Sequence, residues 1–307
     1  MPLIHSELSL TPLRSEILTS RRLERCQFRV LGSQDQLDRS GRPTRYLQLG
    51  NLAGTALSAI PLGGNPTPLH SADHSDIIEV TGELCAYPSH WQLMPEITAL
   101  PQRQTLKPTA LLPREWVLPT FLPALRVIIR HWSRLSTPAL RQFLNSVFVD
   151  SSNAMGVLNA PGSLRHHHAY QGGLLEHTAD MLVRYGGTYP SSHDDLERDI
   201  ATTLIIIHDL GKTLTLVGAD RGATQPHDMA ALELLATPLA ELEMFDPALA
   251  NILRGYFRPK QWYPKADHPS YALISRLDKQ SGVNALQSAR CQRSTPYPHN
   301  NASYSEQ

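Results

Sequence analysis

The sequence predicts an α+β protein of more than one domain, with a small β-barrel in front and an all-helical domain behind it. Two observations carry that prediction. Between about Arg21 and Leu100 apolar and polar residues alternate with a period of two, as half-buried strands require. From about Leu122 onward the apolar residues recur three and four apart, which is the period of a helix packed on one face. A length of 307 residues accommodates roughly two such domains.

The strand-like segments are CQFRVLGS, TRYLQLGNLAG, TALSAIP, IIEVTGELCAY and HWQLMPEIT, enough for a barrel of about five strands over residues 21–105. Asp38 to Pro43 and Gly63-Gly64-Asn65-Pro66 supply turns between them. Residues 1–20 read as an N-terminal extension, and Pro101 to Pro113 as a connector. The helical domain is expected over residues 114–288. Its segments are LPALRVIIRHWSRL, TPALRQFLNSVFV, GGLLEHTADMLVRYGG, DDLERDIATTLIIIHDLGK, HDMAALELLATPLAEL and SYALISRLDKQSGV. Pro138 fits the first turn of its helix, where a missing N–H costs little. Residues 289–307, rich in Ser, Asn and Pro, read as a flexible tail.

Composition narrows the function classes. Lys plus Arg and Asp plus Glu both number 28, so no global positive field advertises a polyanion partner and any nucleic-acid surface must be local. Cys26, Cys85 and Cys291 form no CxxC pair, which excludes a zinc ribbon and a disulfide framework. The first residues contain no continuous apolar stretch of the kind a signal peptide needs, and no later stretch approaches the ~20 apolar residues of a membrane span. A cytoplasmic protein without membrane partners is the expectation.

The chemistry-bearing stretch runs from His166 to Lys212. A divalent metal that activates water needs imidazole and carboxylate ligands converging from different elements, with positions left open. His177 lies on a helix opened by Gly172-Gly173, while His208 and Asp209 end a helix whose run Leu204 to Ile207 should be buried. Both can reach one ion if the helix loosens there, and Gly211 permits that. Lys212 then stands beside the site as a cation suited to a phosphate oxygen. A lone histidine is more often a satisfied core residue, and a lone His-Asp pair says little. The Gly-Gly helix start, its histidine and the following HDLGK together point to metal. His167 and His168 could donate a further ligand or orient the others. Mn, Fe, Mg and Ni all suit mixed imidazole and carboxylate ligands.

On these residues the chain resembles the HD superfamily of metal-dependent phosphohydrolases, whose signature is a His, a His-Asp pair and a later Asp. The matching positions are His177, His208 with Asp209, and Asp278 in ISRLDKQS. The resemblance implies an all-helical catalytic fold, Asp278 as a further metal ligand and hydrolysis of phosphate esters. LNAPGSLRHHHAYQGGLLEHT resembles the segment leading into the site of the YhaM-type 3'-5' exoribonucleases, which place an OB-fold before the HD domain. RSGRPTRYLQLGNLAG and DIIEVTGELCAY resemble that OB barrel. HHHAYQGGLLEHT, HDLGK and RLDKQSGV also resemble the TraI-type HD domain of MobH conjugative relaxases, although the OB-like front favours the exonuclease comparison. Two-metal members add a histidine, which His227 can supply, and a His-His pair where this chain reads ILRGYFRPKQWYP. A second metal would need His268 or one of His166 to His168 as a substitute. His227 alternatively serves as proton donor.

Arginines crowd the front half, and Arg22, Arg42 and Arg45 with Tyr46 and Trp91 at strand positions have the composition that grips a single strand of RNA or DNA through phosphate contact and base stacking. A solvated surface over ordinary core aromatics explains it equally well. Tyr256, Phe257, Trp262 and Tyr263 either cap a pocket or pack a loop. The function these features imply is a metal-dependent phosphodiesterase acting on nucleic acid, a 3'-5' exonuclease on RNA or single-stranded DNA. The rivals are a relaxase-like DNA-processing protein, a nucleotide phosphohydrolase and a non-catalytic nucleic-acid-binding module.

Overall fold

A computed structural model describes residues 17–63, 67–164, 168–188, 194–216, 226–258 and 268–293. The strands are β1 (Thr19–Leu37), β2 (Pro43–Asn51), β3 (Gly54–Pro61), β4 (Ile77–Ala86) and β5 (Trp91–Ala99), with a short helix α1 (Pro68–Ser71) between β3 and β4. They close in the order β1-β2-β3-β5-β4, with β4 returning to β1. All pairings are antiparallel except the single parallel contact of Leu57 with Gln92, which joins β3 to β5. The first strand reaches 19 residues because its front half pairs with β4 and its back half with β2. Its register shifts between Leu23 and Cys26, where Arg25 takes φ +47°, and such a bulge gives one strand the coil needed to border two neighbours.

Behind the barrel come α2 (Pro108–Leu111), α3 (Leu122–Ser133), α4 (Pro138–Val149), α5 (Ser151–Asn159), α6 (Gly173–Thr188) and α7 (Asp195–Ile207). Then follow α8 (Lys212–Thr215), α9 (His227–Leu234), α10 (Ala236–Phe245), α11 (Pro247–Tyr256) and α12 (Pro269–Arg293). The α+β class read from the sequence is borne out. The connector is more than a linker, because α2 drives Ala110, Leu111 and Leu112 into the helical core. The last helix continues through Arg293, past Ser288 where the sequence suggests a tail. Gly64-Asn65-Pro66, His166, His167, Trp262, Tyr263 and residues 294–307 lie outside the described residues. Among the described residues no helix is long and apolar enough to cross a membrane.

Two hydrophobic cores follow from these patterns. Leu47, Leu49, Ile60, Ile78, Val80 and Leu93 fill the barrel. In α3 the buried set Leu125, Ile128, Ile129 and Trp132 follows helical spacing and faces a larger second core. Beyond its first turn α7 is buried at every residue from Asp199 to Ile207, which marks it as the central post of the helical region. Its one buried acid is satisfied: Asp199 Oδ2 accepts the backbone N–H groups of Ser136 and Thr137, each at 2.7 Å, and so holds the start of α4. Pro138 occupies the first turn there, as expected.

The wall between the cores is β4. Successive strand residues point to opposite faces, so Ile77 packs with the helices while Ile78 packs inside the barrel. Across this wall runs Arg29, fully buried at 0% exposure. Its guanidinium donates to Phe148 O at 2.8 Å and to Val149 O and Ser75 O at 3.3 Å, and it lies 4.9 Å from the Trp116 ring. Burial lowers its pKa to about 10, which still leaves it charged at neutral pH.

Two outcomes are expected from this architecture. Replacing Arg29 by Met should lower stability by about 3 kcal/mol, read from the urea midpoint, because one buried and two part-buried carbonyls lose a charged donor. The β1–β2 turn rests on Asp38, whose Oδ1 accepts from Ser40 Oγ at 2.6 Å and from the N–H groups of Ser40 and Arg42 at 2.8 and 2.9 Å. Those bonds depress its pKa from 3.8 to about 2. A depressed carboxylate stabilises the fold above its unfolded pKa and loses that contribution as pH falls through the folded value. NMR titration of Asp38 should therefore show a midpoint near 2, and a midpoint at the ordinary value would show the turn to be loose.

Candidate metal centre

Each element delivers its side chain for a local reason. Gly172, at φ +82°, and Gly173 open α6 beneath the loop that carries His168. A Cβ on Gly173 would stand 2.0 Å from His168 O, so only glycine lets loop and helix touch. One turn further on, α6 buries His177. The central helix α7 stops at Ile207, and His208 to Gly211 form a turn before α8. Gly211 keeps an ordinary helical φ of −62°, so the expected loosening through glycine's freedom is not what it provides. Its value is space: a Cβ there would lie 1.8 Å from His227 O, and its absence lets α9 close on the site.

The result is a buried cluster in which one ligand atom each from His177, His208 and Asp209 lies within 4.8 Å of the others. His208 Nε2 is 3.1 Å from Asp209 Oδ2 and 3.3 Å from His177 Nε2. His208 Nδ1 sits 2.7 Å from Ile205 O, and a carbonyl can only accept, so the proton belongs on Nδ1 and the Nε2 lone pair faces the cluster. From α12, Asp278 Oδ1 approaches His177 Nε2 at 3.2 Å and Ser281 Oγ approaches His177 Nδ1 at 3.1 Å. These two residues are three apart on one helix and so share a face. Such a set of two imidazoles and a carboxylate, with a second carboxylate alongside, fits a divalent cation.

Electrostatics centre on Asp209, which is only 5% exposed. Burial opposes its ionisation, but His208, Lys212 and His177 more than offset this and hold the carboxyl well below its usual range. Lys212 Nζ donates to Asp209 Oδ2 at 2.6 Å and to Gly162 O at 2.7 Å. Burial pulls His208 down, yet the charge and hydrogen bond of Asp209 raise it overall. The hydrogen bond with Asp228 raises His227, against burial, with Asp209 adding to the effect. His227 Nε2 lies 3.1 Å from Asp228 Oδ1 and 3.6 Å from Asp209 Oδ1.

The other sequence candidates separate clearly. His168 stands beside the cluster, its ring centroid 5.6 Å from that of His177, with Tyr170 Oη at 2.9 Å and Glu176 Oε2 at 3.3 Å from its Nδ1. His268 is placed against Glu197 at 3.5 Å and Tyr271, outside the His177-His208-Asp209 group. Phe257 is a core residue, whereas burial and then the charges of Asp209, Asp278 and Asp228 raise the Tyr256 phenol beside the site. On the barrel, Arg22 pairs with Glu24 and Glu96, Arg42 with Asp38, and Arg45 with Asp35 through two bonds. Those three guanidiniums are each paired with the chain's own carboxylates. Tyr46 is half-buried, and Trp91 is 43% exposed. Sequence reading gave no role to Ser281, whose only signal was its spacing from Asp278, nor to Tyr170 and Glu176.

Comparison with known proteins gives partial likenesses. The chain is similar to the dihydroneopterin 2',3'-cyclic phosphate phosphodiesterase of Methanocaldococcus jannaschii, 31% identical over 98 residues, covering 29% of this chain and 37% of that protein. It is similar to the 3'-5' exoribonuclease YhaM of Shouchella clausii, 33% identical over 72 residues, covering 24% and 22%. The YhaM of Listeria monocytogenes serotype 4b is 36% identical over 58 residues, covering 19% and 18%. The chain thus spans well under half the length of these relatives. Both kinds of relative fit the HD-superfamily resemblance carried by His177, His208, Asp209 and Asp278. No family model and no solved structure matches.

The close contact at the start of α6 gives a direct expectation. Gly173→Ala should destabilise the protein by about 2 kcal/mol or more, since the displaced atom is backbone. A thermal midpoint equal to that of the parent would show that the loop yields freely.

Proposed function

We propose that this chain is a divalent-metal-dependent phosphodiesterase of the HD type that acts on single-stranded nucleic acid, as a 3'-5' exonuclease on RNA or single-stranded DNA. The observation that carries the reading is the buried His177-His208-Asp209 cluster, with both nitrogens of His177 engaged from α12. His177, His208, Asp209 and Asp278 are its metal ligands, and Mn, Fe, Mg and Ni all suit them. The ion supplies Lewis-acid activation of water and charge stabilisation at phosphorus.

The chain's own residues set the rest. Lys212 spends two of its three donors on Asp209 and Gly162, which fixes the ammonium and leaves one N–H for a phosphate oxygen. His227, raised by its bond to Asp228, holds the proton that a departing alkoxide needs. Ser281 and His168 orient ligands without being among the three clustered ones. In this reading residues 21–105 are an OB-like domain that holds the strand and residues 114–288 the catalytic domain. The strand order β1-β2-β3-β5-β4 supports the OB comparison. A second reading is favoured by the Methanocaldococcus relative, whose name specifies a cyclic phosphate: a small 2',3'-cyclic phosphate ester would be the substrate.

Metal-loaded protein incubated with end-labelled single-stranded RNA, single-stranded DNA, free nucleotides and a 2',3'-cyclic mononucleotide separates these readings. Stepwise shortening of a strand is expected, and exclusive turnover of the small molecules overturns the nucleic-acid reading. Asp209→Asn or His208→Ala should reduce the rate by about a thousandfold or more. Full activity in those variants would overturn the metal-centre reading, whereas cellular function kept in them but lost on changing Arg22 or Arg42 would favour a non-catalytic binding module. Ser281→Ala should weaken metal affinity by about 10- to 100-fold in a metal titration, with the fold retained.

A further inference from the structure

Where the connector meets the end of α3 and the first turns of α4, the chain surrounds a cavity of about 330 Å³, and none of its lining residues belongs to the metal centre. Two of its walls carry buried polar atoms with no partner among the described residues. They are Nε1 of Trp132, a residue 1% exposed, and Oδ1 of Asn145, a residue 2% exposed. An indole nitrogen can only donate, so Trp132 leaves a donor. Asn145 Nδ2 donates to Arg103 O at 2.9 Å and to Leu106 O at 3.1 Å, which fixes the amide and leaves its oxygen as an acceptor. Buried polar atoms are nearly always paired. Two orphans of opposite sense in one cavity point to a guest that supplies both an acceptor and a donor.

Exposed side chains of the lining add charge. Lys107 and Arg141 belong to the same cavity, and no Asp or Glu lines it. Lys107 Nζ spends one N–H on Arg25 O at 3.1 Å, and the Arg141 guanidinium has no hydrogen bond or ion pair among the described residues. Two cations without a carboxylate match a dianion, and a phosphate monoester carries close to two charges at neutral pH. The wall is already fixed to the barrel: Gln27 of β1 donates to Thr105 O at 3.0 Å and accepts from Lys107 N at 2.8 Å, so a guest has little to order. A volume of this size has room for one small molecule. We propose that the cavity binds a small phosphate monoester, with its phosphate on Lys107 and Arg141 and its body presenting an acceptor to Trp132 Nε1 and a donor to Asn145 Oδ1. A nucleobase edge carries that pairing of acceptor and donor, which makes a nucleoside monophosphate a suitable probe. The proposal does not depend on the phosphodiesterase reading.

The test titrates adenosine monophosphate, uridine monophosphate, the two parent nucleosides and inorganic phosphate into the full chain, read by calorimetry and by the melting midpoint. At least one monophosphate is expected to bind saturably and to raise the midpoint, with its nucleoside and inorganic phosphate about tenfold weaker or worse. Arg141→Gln should weaken binding by about tenfold, and Arg141→Lys should restore part of it. Trp132→Phe keeps a ring in the core but removes the N–H, and should weaken binding by a similar factor of about ten. Arg130→Gln, an exposed arginine on α3 outside the cavity, should change nothing. Since a monophosphate also suits the metal centre, Asp209→Asn is titrated as well and should bind as the parent does. Loss of binding in Asp209→Asn with none in Arg141→Gln assigns the probe to the metal centre, which overturns the cavity proposal and leaves the phosphodiesterase reading standing. Parental affinity in both Arg141→Gln and Trp132→Phe overturns it, as does inorganic phosphate binding as tightly as the monophosphates. Absence of saturable binding by either monophosphate overturns it too, and leaves an ordered water as the partner of the two atoms.

Discussion

A carboxylate taken out of water costs several kcal/mol even after the protein relaxes around it, unless counter-charges and hydrogen bonds replace its hydration. Asp209 is such a carboxylate, and the helical region is arranged to keep it ionised. Lys212 folds back from the next turn at 2.6 Å, His208 stands at 3.1 Å, and His177 reaches in from α6 at 3.8 Å. Each partner is itself anchored: Lys212 on Gly162 O, His208 on Ile205 O, His177 on Ser281. Side chains from α6 and from the turn after α7 therefore converge on one negative charge, with Gly162 and α12 anchoring them. The same charge that draws a proton onto His208 would draw a cation into the cluster, and a cation satisfies three ligands where a proton satisfies one.

Close packing makes this convergence possible. His208 and Asp209 follow a helix whose residues from Asp199 to Ile207 are all buried, so they enter the interior instead of reaching solvent. Glycine at positions 173 and 211 then allows the His168 loop and α9 to approach within distances any side chain would forbid. The charge of Asp209 fixes which groups must gather, and the missing methyls fix how near they can come.

Much of the centre was legible because its signals are local. The Gly-Gly opening of α6, the apolar run before His208 and the adjacency of His208 and Asp209 all lie within short windows, and the change of period marked where strands give way to helices. Long-range partners were not legible. Nothing in the sequence shows that Ser281 meets His177, that His268 is held by Glu197, or that Asp199 caps α4. The role of Gly211 was misread for the same reason: its constraint comes from His227, remote in sequence, and not from its own φ.

Arginine shows most sharply how context decides meaning. Side by side in the sequence, Arg21 and Arg22 look alike, yet alternation along β1 sends Arg22 to Glu24 and Glu96 and Arg21 to a cavity that Trp91 and Arg114 also line. Arg29, on the same strand, turns inward through the wall to bond the end of α4. Counting guanidiniums therefore overstates a binding surface, because an arginine held by the chain's own carboxylates must give up those contacts before it can hold a ligand. The first strand thus carries four arginines, Arg21, Arg22, Arg25 and Arg29, which their neighbours divide into three roles. Arg22 and Arg25 pair with acids, Arg29 joins the barrel to the helices, and Arg21 lines a cavity.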